Sequence, residues 1–171
     1  KFKLWNSKMW AFYDKELVSV NSSGVGESEA YFSVTITDIE VFNNELIIAL
    51  GAATKIYKAT TSDVYTQATD NTFAIKLGVA GKNLWRSSTT QLVSSCTTTP
   101  LTLASWGTDY TVGNSTYNIN ILIEYGGFIW VGKSDGFYAP DINSVFYNQT
   151  PQMRQWPDTN NCNGAFTSQG Y

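Results

Sequence analysis

The sequence contains no histidine. That removes the side chain most used as general base, zinc ligand and proton shuttle near neutral pH. Ser-His-Asp and Cys-His catalysis are excluded with it, and no spacing argues for a Ser-Lys dyad. Carboxylates remain. Asp38 and Glu40 flank Ile39, a spacing that puts both on one face of a strand, and Glu27 and Glu29 repeat it after a glycine-rich turn. Two carboxyl groups about 5 Å apart are what a retaining glycosidase needs. The Asp38 pair has apolar neighbours and no third acid, so glycoside hydrolysis is an alternative and solvated strand-edge charge is the main reading. The chain is expected not to be an enzyme.

Two runs could supply oxygen ligands to calcium: Asp135, Asp141 and Asn143, and then Asp158, Asn160 and Asn161. Calcium takes six to eight oxygens, several of them carboxylate, and neither run has the spacing of a known loop. Turn-forming Asx residues are the plainer explanation. No metal or other cofactor is expected.

Aromatic side chains are the most suggestive feature. The chain holds 6 Trp, 10 Tyr and 9 Phe, against a charged fraction of only 15%. Sugar sites stack a ring on Trp or Tyr beside a few planar polar groups. Trp85 and Arg86 open a polar stretch, Trp106 sits with Asp109 and Tyr110, and Phe137 precedes Tyr138. Trp85, Arg86, Trp106, Asp109, Tyr110 and Tyr138 are therefore the candidate binding residues. The competing reading is that these rings close the ends of a hydrophobic core. Trp130 reads as core, and Trp5, Trp10 and Phe12 as packing on a partner subunit or a preceding segment.

Cys96 and Cys162 lie 66 positions apart, both among Ser, Thr and Asn. A disulfide between them is expected, closing a loop that adds about 4 kcal/mol and placing the chain in an oxidising compartment. Two independent thiols are the alternative. Asn21, Asn114 and Asn148 each begin an Asn-x-Ser/Thr glycosylation acceptor, about as many as chance gives in a chain this rich in such residues.

The elements that must position these groups are strands. With 171 residues, 43% of them apolar, the chain fits one domain able to bury its own core. β-Branched and aromatic residues alternate with neutral polar ones at turn spacings near ten residues. Strands are expected over Tyr31–Thr37, over Val41–Leu50 as a hairpin about Asn43-Asn44, and over Phe73–Val79. A further hairpin is expected from Tyr117 to Val131 about Gly126-Gly127, and a turn at Gly81-Lys82-Asn83 precedes Leu84-Trp85-Arg86. Ser87–Thr99 reads as loop. Neither an internal repeat nor a linker stands out, so 1–171 is taken as one β-sandwich domain with 148–171 as a polar surface segment. The net charge of −3 and the lack of a basic patch argue against nucleic acid. No apolar run spans a bilayer, so membrane insertion is not expected. A start at Lys1 fits a processed chain or a fragment.

Gly107-Thr108-Asp109-Tyr110-Thr111-Val112-Gly113, the aliphatic strand Ile119–Ile123, and Gly126–Lys133 together resemble the later half of a SPRY-type domain. Glu29–Ile36 is similar to the strand that opens such a domain. The resemblance implies an antiparallel, concanavalin-like β-sandwich (a jelly roll being the alternative) like those in phage and viral surface proteins. It implies binding rather than catalysis: a receptor- or glycan-binding module at a virion or cell surface, extracellular, meeting a host-surface glycan or protein. A structural subunit of a capsid, pilus or filament is the second reading. A homo-oligomer is expected, with a trimer favoured.

Overall fold

The computed structural model describes residues 1–165. The chain divides into two compact units, one of residues 1–75 with 98–105 and one of residues 76–97 with 106 onward.

The first unit begins with β1 (Lys3–Trp5), β2 (Lys8–Tyr13), β3 (Glu16–Val20) and β4 (Gly26–Tyr31), paired antiparallel in that order. The second sheet holds β5 (Asp38–Phe42), β6 (Glu45–Ala49), β8 (Tyr57–Thr61) and β9 (Val64–Gln67). Between β6 and β8, β7 (Gly51–Lys55) turns away to pair with β10 (Phe73–Ala74). The second unit contains β11 (Lys76–Ala80), β12 (Asn83–Ser87), β13 (Leu92–Cys96) and β14 (Tyr110–Thr111), again in order. The last sheet is β15 (Ile119–Tyr125), β16 (Phe128–Lys133), β17 (Gly136–Pro140) and β18 (Phe146–Asn148). Two short 3-10 turns cover Leu103–Ser105 and Pro151–Gln155.

Apart from the β7–β10 pair, each sheet is thus a four-stranded meander whose strands pair in the order they occur. That is the blade of a β-propeller. A sandwich would exchange strands between two facing sheets, with pairings far apart in sequence. The expected concanavalin-like sandwich, its SPRY resemblance and its jelly-roll alternative are therefore corrected to a propeller-type fold of four blades. The motifs behind that resemblance describe hairpin turns and aliphatic strands, which blades share with sandwiches.

Local chemistry explains the hairpins. Asn6-Ser7, Asn43-Asn44 and Gly126-Gly127 all have positive φ at both turn residues, the left-handed pair that a two-residue turn needs to match strand twist. The hairpins at Asn43-Asn44 and Gly126-Gly127 lie where the sequence places them. Phe73–Val79 instead breaks at Ile75 into β10 and β11, where the two units meet in sequence. Leu92–Cys96, within the supposed loop, forms a central strand. Tyr31–Thr37 is mostly not a strand. Phe32 and Ile36 still point inward, and their N–H groups donate to the carbonyls of Lys15 (2.9 Å) and Asp14 (2.7 Å) rather than to a ladder.

In the first unit, Trp5, Trp10 and Leu17 pack with Ile39, Leu46 and Ile48 from the neighbouring blade. Trp10 donates its indole N–H to the Trp5 carbonyl and Trp5 to that of Asn44, both at 2.9 Å. These tryptophans are internal and do not wait for a partner, contrary to expectation. In the second unit, Ala80, Val93 and Val112 of the third blade meet Ile129, Val131 and Tyr138 of the fourth. Each fully buried aliphatic side chain stabilises its unit by about 1.5–3 kcal/mol.

The meanders also reveal an internal repeat that the sequence hides. Trp5-Asn6-Ser7-Lys8-Met9-Trp10, Phe42-Asn43-Asn44-Glu45-Leu46-Ile47, Ala80-Gly81-Lys82-Asn83-Leu84-Trp85 and Tyr125-Gly126-Gly127-Phe128-Ile129-Trp130 occupy the same hairpin in the four blades.

Candidate functional site

Within the second unit, three turns border one cleft. Gly81-Lys82 joins β11 to β12, Gly126-Gly127 joins β15 to β16, and Asp141–Val145 joins β17 to β18. The cleft between them has a volume of about 520 Å³, in the range of small-molecule sites. Its apolar lining includes Trp85, Phe128, Ile129, Pro140 and Ile142; Lys82, Asn83, Asp141 and Ser144 supply polar groups.

The surroundings hold this lining in place. Trp85 leans on Tyr110, with ring centroids 6.1 Å apart, and Tyr110 in turn on Phe146 at 6.5 Å. Asp141 builds its own turn: one carboxylate oxygen accepts from the N–H groups of Asn143 (2.8 Å) and Val145 (2.9 Å). Ser144 takes a positive φ of 62°. Ile142 is thereby lifted to 96% exposure at the edge of the cleft. Such a side chain takes no part in the core.

Lys133 fixes the two blades against one another. Its ammonium is fully buried and donates to the carbonyls of Thr90 (2.9 Å), Val112 (2.7 Å) and Asn114 (2.8 Å). Burial pushes its pKa down to about 8. With all three donors engaged, the group acts as a structural tie and not as a nucleophile.

Of the candidate binding residues, Trp85 lines the cleft and Tyr110 supports it. Arg86 and Trp106 lie inside the protein. The guanidinium stacks 4.4 Å from the indole centroid and its Nε donates to Ser94 Oγ at 3.2 Å. Tyr138 is buried, and its hydroxyl donates to Asp135 Oδ2 at 2.7 Å. Burial, with that carboxylate second, raises the Tyr138 pKa. Asp109 is exposed and is not among the residues lining the cleft. Sequence reasoning missed Lys82, Phe128 and Ile142. The repeated hairpin was the available signal, since it sets Lys82 and Phe128 in or beside equivalent turns.

The other candidates are held by neighbours. Lys1 pairs with Asp38 and Glu40, and Lys3 with Glu40. Lys8 bridges Glu27 and Glu29 at 2.7 and 2.8 Å. Both acid pairs are salt-bridged. Among the described residues no cluster of three or more metal-ligating acids or thiols occurs. Asp158 Oδ1 accepts from the N–H of Asn160 (2.7 Å), and Asn161 donates its amide to the Ser134 carbonyl (2.9 Å), as turn-forming residues do.

Cys96 and Cys162 are not joined by a disulfide. Cys96 is buried on β13 of the third blade, whereas Cys162 packs at Gly132 on the fourth. The argument for an oxidising compartment falls with that bond. Asn21 and Asn114 turn their side-chain oxygens to local N–H groups. Asn148 also engages its amide nitrogen, with the Asp135 carbonyl at 3.1 Å. No described helix is long and apolar enough to cross a membrane, which leaves β-barrels unaddressed.

No family model and no curated protein matches the sequence. Solved structures do match, at the level of fold. Catalytically inactive virginiamycin B lyase from Staphylococcus aureus, solved with quinupristin, superposes with a TM-score of 0.66 at 7% identity, over 85% of this chain and 53% of that one. An auxiliary nutrient binding protein from Bacteroides ovatus gives 0.67 at 11% identity, over 85% and 42%. The extracellular domain of a hybrid two component system from B. thetaiotaomicron gives 0.66 at 15%, over 86% and 21%. The chain spans about half the length of the lyase or less of the other two. These likenesses agree with the β-propeller character of the blades and set aside the SPRY-type and concanavalin-like assignment.

Proposed function

We propose that this chain is a non-catalytic, extracellular recognition module that binds a surface glycan in the cleft of its second unit. The observation that carries the reading is the lining itself. Trp85 and Phe128 put aromatic side chains of the kind that stack on a pyranose into the lining, and Asn83, Asp141, Ser144 and Lys82 add donors and acceptors suited to its hydroxyls. A shallow apolar floor with a few polar groups at the edge is the usual build of such a site. The absence of histidine from the sequence and the neutralisation of both acid pairs by lysines support binding over hydrolysis. Low charge, and fold neighbours named as an extracellular domain and a nutrient binding protein, support the location. The lyase neighbour shares the fold at 7% identity, too little to carry over its chemistry.

The test is a glycan array with the wild-type chain and Trp85→Ala. Selective binding that falls at least about tenfold in the variant, a loss of about 1.4 kcal/mol, is the expected result. An array without a binder, or equal binding by both proteins, would overturn the proposal.

A further inference from the structure

The first blade has two faces with different fates. Trp5, Trp10 and Leu17 point into the core of the first unit. The opposite face carries Leu4, Met9 and Val20, aligned across three strands by the pairs Leu4↔Met9 and Met9↔Val20. Ala11 and Val18 form the next row, and Tyr13, Glu16 and Tyr31 the one after. Phe2 lies two residues before Leu4. The face is open: Phe2 is 73% exposed, Leu4 67%, Met9 42%, Tyr13 79%, Val20 40% and Tyr31 74%.

The fourth blade shows what such a face is for. Its strands and turns match the first blade residue for residue, with Ala11↔Val18 and Phe12↔Leu17 answering to Val131↔Tyr138 and Gly132↔Phe137. The positions of Met9, Ala11 and Val18 become Ile129, Val131 and Tyr138, and these are buried against the third blade. The same face of the same meander is therefore a sheet-packing surface in the second unit and stands uncovered in the first.

The size is right for an interface. Three aromatic rings, each about three-quarters exposed, present on the order of 450 Å², and Leu4, Met9 and Val20 extend the patch toward the ~800 Å² per partner of a stable complex. Monomers rarely expose so large a continuous apolar area. On the far face of the fourth blade Asn120 donates to the Asn161 carbonyl at 2.7 Å and Cys162 lies over Gly132, so the segment after β18 obstructs head-to-tail stacking at that end of the sheet, while Tyr125 and Phe128 at the other end stay exposed.

We infer that the open face of the first blade pairs with the same face of a second copy, giving a two-fold dimer in place of the expected trimer. A two-fold contact needs one self-complementary patch. The aliphatic row Leu4-Met9-Val20 supplies its centre, and Phe2, Tyr13 and Tyr31 its border.

The experiment is sedimentation of the whole chain from roughly 5 to 500 μM, beside Leu4→Asp, Tyr13→Asp and Ile142→Asp, each checked for its fold by circular dichroism. The wild type and Ile142→Asp should reach twice the chain mass as concentration rises. Leu4→Asp and Tyr13→Asp, both at exposed positions, should stay folded and monomeric, with dissociation constants raised at least about tenfold. A wild type that is monomeric throughout, a trimer, or a dimer indifferent to both first-blade substitutions would overturn the inference.

Discussion

The first and fourth blades are one design with two uses. Asn21–Val25 and Asp141–Val145 join the third strand to the fourth in each, and their hydrogen bonds coincide. Asn21 accepts through its side chain from Ser23 and Val25, as Asp141 does from Asn143 and Val145. Gly24 and Ser144 both adopt positive φ. The difference that bears on the cleft is one side chain. Ser22 in the first turn is Ile142 in the second, beside a cleft with Trp85 and Phe128. On the proposed function, recognition would be written onto turns whose backbone is already settled, as scaffold folds commonly arrange it.

The sharpest way to separate the two blades is at their second hairpin. Tyr13 and Lys133 hold equivalent places, opposite Glu16 and Gly136. Tyr13 is exposed, while Lys133 satisfies three carbonyls. Lys133→Met should destabilise the second unit by about 3 kcal/mol, because acceptors are left buried without donors. Tyr13→Ser should change stability by less than about 0.5 kcal/mol. Urea denaturation of both variants checks this.

A smaller effect concerns the Gly132 end of the fourth blade, where Cys162 packs. Burial pushes the Cys162 thiol up to about 11, so almost none of it is thiolate at pH 8 and alkylation should be slow. A side chain at Gly132 would place its Cβ 2.6 Å from Ile121 and 2.8 Å from Cys162. Gly132→Val should therefore lift the segment and speed maleimide labelling of Cys162 by about tenfold. An unchanged rate would show that the segment does not cover this end of the sheet.

The smallest effect concerns the paired turns. Asn21→Ala and Asp141→Ala each remove a side-chain acceptor holding two N–H groups, and each should cost about 1 kcal/mol of stability. Only Asp141→Ala should also weaken glycan binding. Equal binding by the two variants would erase the functional difference between the turns.

The sequence shows the strands and hides their assembly for a physical reason. Alternation and Asn-Asn or Gly-Gly pairs report a hairpin, and the hairpins at Asn43-Asn44 and Gly126-Gly127 stand where they were read. Alternation is local, and meanders and sandwiches share it; only the order of pairing tells them apart. The repeated hairpin escaped notice because its turn accepts Asn-Ser, Asn-Asn, Gly-Lys and Gly-Gly alike. Trp85 stands out in the sequence for the polar stretch that it opens; it lines the cleft, although much of that stretch folds as β13 rather than as a loop. Arg86 and Trp106 misled because a buried cation-aromatic pair has the same composition as an exposed one. Phe128 and Ile142 could not be found without knowing that their turns border the same cleft.

Amide chemical-shift mapping of the labelled protein against a panel of methyl pyranosides reads sugar binding in the cleft residue by residue. At least one sugar should move the amides of Lys82, Phe128, Ile142 and Ser144 together, leaving Asn21–Val25 still. Shifts clustered instead around Asp109, or none with any sugar, would contradict glycan binding in the cleft.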